Sequence, residues 1–180
     1  MKPEDFIKQG ITEMLKADSD MSPRRHLLET SERNITAYLR RHLGQIGYSH
    51  NGKKYQVDHE YNRRGMGDTP KNLSPECLKR KNSVVPDIIV HLRGIEVRED
   101  PNANWLVIEV KKIPSFDGVV ENMKNKKQKE ALKCDLQKLY CFVEDERFRY
   151  QQAASIVFSD KGVWISLNHA VWNKRFEKLL

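Results

Sequence analysis

Two short apolar runs in the middle of the chain carry charged residues where a buried strand should have none. Val84–His91 contains Asp87 directly after a proline, and Trp105–Lys112 contains Glu109 and Lys111. Both runs are apolar on both faces, which is typical of strands that are covered on both sides of a sheet. Because side chains alternate along a strand, Glu109 and Lys111 should share one face, with their bases roughly 7 Å apart. A buried charge is costly unless something pairs with it, so this pattern indicates a site.

The rest of the chain predicts helices and strands around these two runs. The periodicity and the turn residues predict the order helix, helix, strand, strand, strand, helix, strand, strand, helix. The predicted ranges are 3–17 and 22–43 (helices), 55–62, 84–93 and 104–111 (strands), a helix with an apolar stripe from Leu132 to Val143, strands at 154–158 and 163–167, and a closing helix at 170–180. Residues 44–54 are predicted to be a turn, and 65–83 a loop.

This order predicts an α/β fold with a mixed central sheet flanked by helices. The length fits one domain over residues 1–180, with N-terminal helices at 1–45, a sheet core at 55–168 and a C-terminal helix at 169–180. The crossover through the long helix should be right-handed.

The composition favours a polyanionic partner. The formal net charge is +7, and nucleic acid is the commonest such partner, with an anionic membrane surface as the weaker alternative. Three cysteines, with no CxxC pair, argue against a disulfide framework or a zinc knuckle and fit a reducing compartment. The acidic N-terminus is no signal peptide, and no window has the apolar length of a membrane span. We therefore expect a cytoplasmic protein with no membrane partner.

The motif Pro86-Asp87, followed by Glu109-Val110-Lys111, resembles that of the PD-(D/E)XK nuclease superfamily, also called restriction-endonuclease-like. The resemblance covers the core order of a helix, three strands, a helix and a further strand, which is most of residues 31–160. It implies a restriction-endonuclease-like sheet with an N-terminal helical extension. It also implies hydrolysis of DNA phosphodiester bonds with Mg²⁺, for which Mn²⁺ would substitute.

Two further segments strengthen the resemblance. Val57–Arg63, followed by Ile89–Gly94, looks like the corresponding segments of a group of uncharacterised bacterial and phage-borne members of this superfamily.

The motif residues suit the chemistry of phosphodiester hydrolysis. Asp87 and Glu109 supply the carboxylate oxygens that Mg²⁺ prefers, and the backbone carbonyl of Val110 is a further candidate ligand. Lys111 is expected to orient the attacking water or donate to the charge that develops on the phosphoryl oxygens. The alternative is that Asp87 caps a strand while Glu109 and Lys111 form a buried ion pair. Such a pair adds little net stability, so we favour the catalytic interpretation.

A third carboxylate stays open. The resemblance allows Glu32, from the helix before the sheet, or Glu60, from the preceding strand, and the polar neighbours of Glu60 favour it slightly. The structural alternatives are a favourable first-turn charge for Glu32 and an exposed strand position for Glu60. Asp135 lies on the flank of its helix stripe, where an ion pair with Lys138 is the favoured interpretation and catalysis the second. Whether the site holds one metal ion or two depends on this point.

Basic residues near the motif are candidates for contacts with the phosphate backbone: Arg63, Arg64, Arg93, Lys112 and the lysines from 124 to 129. For most of them, a solvated surface charge is the better single interpretation. No helix-turn-helix or zinc finger is visible, so sequence-specific reading is not supported. Two other functions stay open: a nucleic-acid-binding module that does not cut, and a structural subunit of a larger defence or repair assembly. A homodimer or a partner protein also stays open.

Overall fold

The computed structural model describes residues 1–17, 29–59, 85–168 and 174–179. This part of the chain is α/β, with a mixed seven-stranded sheet whose strands lie side by side in chain order. The elements are α1 (Pro3–Ala17), α2 (Glu32–Ile46), β1 (Tyr48–His50), β2 (Lys53–His59), β3 (Ile88–His91), β4 (Asn104–Lys112), a 3-10 turn (Val120–Asn122), α3 (Lys126–Glu144), β5 (Gln152–Ser159), β6 (Gly162–Leu167) and β7 (Glu177–Lys178).

One pair of strands sets the topology. β4 and β5 run parallel, whereas every other neighbouring pair is antiparallel. Parallel neighbours need a crossover connection, and α3 is the helix in that connection. The helix begins at the N-cap Asn125, whose side chain accepts a hydrogen bond from the backbone N–H of Gln128. The predicted strand–helix–strand unit is therefore confirmed.

The sheet separates two apolar cores. On one face, α1 and α2 bury Phe6, Ile11 and Leu39 against the even-numbered side chains of β4, such as Ile108. On the other face, α3 buries aliphatic and aromatic residues against Val107 and its neighbours. The buried residues of α3 are Leu132, Asp135, Leu136, Leu139 and Phe142. Asp135 is thus inside the packed face of α3, and not only at its flank as predicted.

The helix α2 begins directly after its N-cap residue, Ser31. The Ser31 side chain accepts a hydrogen bond from the backbone N–H of Asn34, at 3.2 Å, and so caps the helix that begins at Glu32. The predicted helix at 22–43 therefore exists from Glu32 onward and extends to Ile46. Residues 22–28 of that prediction lie outside the described residues.

The prediction of a plain turn at 44–54 is wrong in part. The segment holds β1, which pairs with β2 through a two-residue connection at Asn51 and Gly52. Both connecting residues have positive φ, 50° and 73°, and Asn-Gly is the preferred pair for such a hairpin because both tolerate this conformation. The Asn-Gly pair could have predicted the hairpin.

The predicted closing helix at 170–180 is also wrong where the structure describes it. Glu177–Lys178 is a short strand that extends the sheet next to β6, and Arg175 bridges to Val119. Phe176 packs edge-on against Phe116 at a centroid distance of 5.2 Å. Phe176 is therefore buried where the C-terminal segment extends the sheet. The helical spacing of apolar residues in the sequence could not show this pairing.

The cysteines also depart from expectation. Cys141 is a free, half-buried thiol, as expected of a packing residue. Cys134 is disulfide-bonded, which departs from the expectation of a chain without disulfides. Within the described part of the chain, no helix has the length and apolarity needed to cross a membrane.

Candidate metal and phosphate site

The strand register brings Asp87 and Glu109 together. β3 and β4 pair Ile88 with Ile108 in antiparallel register, and Asp87 and Glu109 come one step beyond that pair. Residues directly opposite each other in such a pair have Cβ atoms about 4.5–5.5 Å apart. Asp87 Oδ2 also accepts a hydrogen bond from the backbone N–H of Val110, at 2.7 Å. Two carboxylates therefore face each other at the end of this hairpin, as the sequence predicted.

Glu109 is almost completely buried, and only one of its two carboxylate oxygens accepts a hydrogen bond from a described residue. Its residue exposure is 2%, and Lys138 Nζ donates to Oε2 at 2.8 Å. Among the described residues, none donates a hydrogen bond to the other oxygen, Oε1. A buried acceptor without a donor costs free energy, so a ligand that satisfied this oxygen would relieve that cost.

Lys111 lies on the same face of β4 as Glu109 and reaches toward two helices. Its Nζ lies 2.9 Å from Asp135 Oδ2 on α3 and donates to Glu32 Oε1 on α2 at 3.0 Å. Glu32 Oε2 accepts a hydrogen bond from the backbone N–H of Lys112, at 2.9 Å. The first turn of α2 is thereby fixed to the end of β4, and Glu32 lies at the site.

Asp135 joins the two lysines. Its Oδ1 lies 2.9 Å from Lys138 Nζ, one helical turn along α3, while its Oδ2 faces Lys111. The favoured interpretation of Asp135 as the partner of Lys138 is therefore confirmed, but the contact with Lys111 also places Asp135 at the site. A continuous chain of charges runs from Glu109 through Lys138, Asp135 and Lys111 to Glu32.

We call these residues the carboxylate–lysine cluster. It contains two lysines, Lys111 and Lys138, and four carboxylates: Glu32, Asp87, Glu109 and Asp135. With every group ionised, four negative charges face two positive charges. Among the described residues of the cluster, the carboxylates therefore outnumber the lysines by two charges.

The pKa directions reflect this imbalance. Burial raises the pKa of Asp87, with only partial relief from the Val110 N–H. Burial and the repulsion of Asp87 raise the pKa of Glu109 well above its ordinary value, although Lys138 opposes the shift. Burial by itself lowers the pKa of Lys111 and Lys138, but the surrounding carboxylates outweigh it and raise both. Both lysines are therefore firmly protonated, while the two facing carboxylates still lack positive charge.

The donors present suit Mg²⁺, which prefers carboxylate oxygens and keeps several of its waters. The orphaned Glu109 Oε1 and the facing Asp87 are the groups that best fit a cation. Within the described ranges, however, no three acidic, histidine or cysteine side chains form a ready-made metal cage. The ammonium groups of Lys111 and Lys138 hold three of the carboxylates instead. The predicted role of the Val110 carbonyl stays a prediction.

Of the other predicted residues, the structure describes Arg93 and Lys112. Arg93, beyond the far end of β3, donates to both carboxylate oxygens of Asp58. Lys112 Nζ donates to the carbonyl oxygen of Thr30 at 2.7 Å, close to the cluster. Glu60, Arg63 and Arg64 lie outside the described residues.

Two adjoining cavities lead away from the cluster along the start of α3. The first, of about 420 Å³, is lined by Glu32, Lys111, Lys112, Ile113, Asn125, Lys127, Gln128 and Ala131. The second, of about 430 Å³, shares Ile113, Asn125 and Gln128 and adds residues that include Ser115, Lys124 and Lys161. The two cavities together form a groove in which lysines outnumber acidic residues. The groove therefore suits a negatively charged polymer that runs from the cluster along the start of α3.

The sequence analysis missed two features of the structure. Lys138 was considered only as a partner for Asp135, although its position one turn beyond a stripe-flanking Asp signalled the same helix face. The buried pair of Asp58 and His91 was not singled out, although both lie within predicted strands. Comparison of the chain with protein-family models, with curated proteins and with solved structures found no match.

Proposed function

We propose that the protein is a Mg²⁺-dependent nuclease that hydrolyses phosphodiester bonds of DNA, on a restriction-endonuclease-like fold. The proposal rests on the register of β3 and β4, which places Asp87 and Glu109 one step beyond the Ile88–Ile108 pair, with Lys111 next along the same face of β4. A buried pair of like charges is destabilising unless a cation joins it. The buried Glu109 Oε1, to which no described residue donates, is the oxygen that such a cation would satisfy.

The residues of the cluster divide the chemistry between them. Asp87 and Glu109 would hold Mg²⁺, which lowers the pKa of a bound water and neutralises charge on a phosphoryl oxygen. Lys111 is already fixed by Asp135 and Glu32, so its ammonium is oriented before any substrate arrives. A pre-oriented donor stabilises developing negative charge without a reorganisation cost. Glu32 and Asp135 act through Lys111, as positioning residues.

The groove along α3 supports a polyanionic substrate. Lys124, Lys127 and Lys161 are exposed along it, and the chain has a net charge of +7. Contacts of this kind with phosphates release counterions, so affinity should fall steeply with salt concentration. These contacts carry no sequence information, which favours recognition of backbone or ends over recognition of bases.

Nicking of supercoiled plasmid tests the proposal directly. The wild-type protein should convert plasmid to open circle with Mg²⁺ or Mn²⁺ and not with EDTA. Glu109→Gln and Lys111→Met should abolish conversion, whereas the matched surface changes Glu130→Gln and Lys133→Met on α3 should not. Equal conversion by Glu109→Gln would overturn the proposal.

The same assay distinguishes the two alternatives. Salt-sensitive DNA binding without any cleavage would favour a non-catalytic binding module. Neither binding nor cleavage, together with co-purification of other proteins from cells, would favour a structural subunit.

A further inference from the structure

We propose that the ammonium group of Lys138 occupies the cation position between Glu109 and Asp135, and that a divalent metal ion binds by displacing it, with Asp135 as an additional ligand. This inference rests on the proposed metal-dependent function. It concerns how the site is held before a metal ion arrives, and which carboxylates then hold the metal.

The position of Lys138 Nζ is that of a bridging cation. It lies 2.8 Å from Glu109 Oε2 and 2.9 Å from Asp135 Oδ1, so one positive charge joins carboxylates from β4 and α3. The Lys138 side chain is 15% exposed, and those of the two carboxylates are 2% and 9% exposed. Buried carboxylates without a cation would repel each other, so the lysine stabilises the metal-free fold.

The lysine fills this position only partly. A single ammonium charge leaves Glu109 Oε1 without a donor in the described part of the chain. Burial still raises the pKa of Asp87, although the Val110 N–H, Lys138 and Lys111 oppose the shift. A divalent ion carries twice the charge and accepts several oxygen ligands at once. With every group ionised, the exchange therefore adds one net positive charge to the cluster and brings more oxygen ligands to the cation.

Lys138 can leave without unfolding its surroundings. Its backbone lies on α3, and its long side chain can rotate toward solvent from a position that is already partly exposed. Lys111 differs, because its ammonium joins Asp135 to Glu32. Lys111 is therefore expected to remain when Lys138 leaves.

Chemical labelling of the wild-type protein tests the displacement in the absence of nucleic acid. The protein is treated with a short pulse of an amine-reactive reagent, with and without saturating Mn²⁺, and each lysine is quantified by mass spectrometry. Lys138 should be modified at least about fivefold faster with Mn²⁺, within the usual range of coupling between two sites. Lys133, on the same helix and outside the cluster, should not change. Bound Mn²⁺ with an unchanged rate at Lys138 would overturn the inference.

Calorimetric titration with Mn²⁺ tests whether the Lys138 ammonium competes with the metal ion for the carboxylates. Lys138→Met removes the competing cation and should bind Mn²⁺ about tenfold more tightly than wild type. Lys133→Met should match wild type, and Asp135→Asn should bind about tenfold or more weakly. Unchanged or weaker binding by a folded Lys138→Met protein would contradict displacement, and unchanged binding by Asp135→Asn would remove Asp135 as a ligand. If Lys138→Met does not fold, the labelling result on wild type decides.

The two proposals fail in different ways. Release of Lys138 by Mn²⁺, without any cleavage of DNA, would leave the displacement standing and overturn the nuclease. Cleavage that needs Mg²⁺, with Lys138 unmoved, would do the reverse. Absence of any Mn²⁺ binding would overturn both.

Discussion

Two buried carboxylates of this protein have opposite environments. Asp58 on β2 lies 2.9 Å from His91 Nε2, and Arg93 donates to both of its oxygens. The hydrogen bond with His91, aided by Arg93, lowers the pKa of Asp58 to about 2 despite burial. Glu109 on β4 has one lysine for two oxygens, and burial with the repulsion of Asp87 raises its pKa. Similar burial therefore gives one satisfied and one unsatisfied acid.

The difference separates a structural role from a functional one. A buried acid whose partners supply all its donors holds strands together and needs nothing more. A buried acid that lacks a donor costs stability, and such perturbed groups cluster at functional sites. The cluster around Glu109 is therefore where a ligand is expected, and the Asp58 group is where fold stability is expected.

The largest expected effect is on catalysis. Glu109→Gln should reduce Mg²⁺-dependent cleavage by about a thousandfold or more, since the metal supplies several kcal/mol of charge stabilisation. Asp58→Asn, assayed at a temperature where it remains folded, should cleave within about threefold of wild type. Initial rates on plasmid measure both, and similar losses from the two variants would break the distinction between the two acids.

The free energy of unfolding should respond in the reverse order, with the larger loss for Asp58→Asn and the smaller for Glu109→Gln. Asp58→Asn weakens the contacts of His91 and Arg93 and should cost about 2–3 kcal/mol of unfolding free energy. Glu109→Gln without metal should cost less than about 1 kcal/mol or stabilise the protein, because it removes a disfavoured charge. Urea unfolding at pH 7 measures both; a larger loss for Glu109→Gln would contradict the account.

The opposite face of the sheet provides a comparison without charges. A Cβ added at Gly10 on α1 would lie 2.4 Å from Leu43 Cδ2, whereas one at Gly44 on α2 has nothing within 4 Å. Gly10→Ala should therefore destabilise the protein by about 1–3 kcal/mol through overpacking. Gly44→Ala should stabilise it by about 0.5–1 kcal/mol, through lower chain entropy. Urea unfolding reports the stabilities, and Mn²⁺ affinity should stay at the wild-type value in both.

The smallest expected effect is on pH dependence. The pKa of Asp58 is lowered from 3.8 to about 2 on folding, so its contribution is present above 3.8 and is lost as the pH falls through that window. The pKa of Glu109 is raised above its ordinary 4.5, so its folded form retains a proton that the unfolded chain releases. Metal-free stability should therefore decline as the pH rises above 4.5. Asp58→Asn should remove the first dependence and Glu109→Gln the second, as urea unfolding across pH can measure.

The sequence predicts the parts of this picture that depend on local pattern. Alternation placed Glu109 and Lys111 on one face of a strand next to the strand that follows Asp87, and helical periodicity predicted the helix that contains Glu32. Pattern could not show that Glu32 reaches Lys111, because that contact joins residues 79 positions apart. The short strand Glu177–Lys178 was missed for a similar reason, since its pairing with β6 is a tertiary event.

A crystal of the protein soaked in Mn²⁺ would test the central claim most directly, through the anomalous signal of manganese. The account predicts one strong peak beside Glu109, within ligand distance of Asp87, with the Lys138 ammonium turned away. No peak there at a saturating Mn²⁺ concentration, with Lys138 still bonded to Glu109 Oε2, would contradict it.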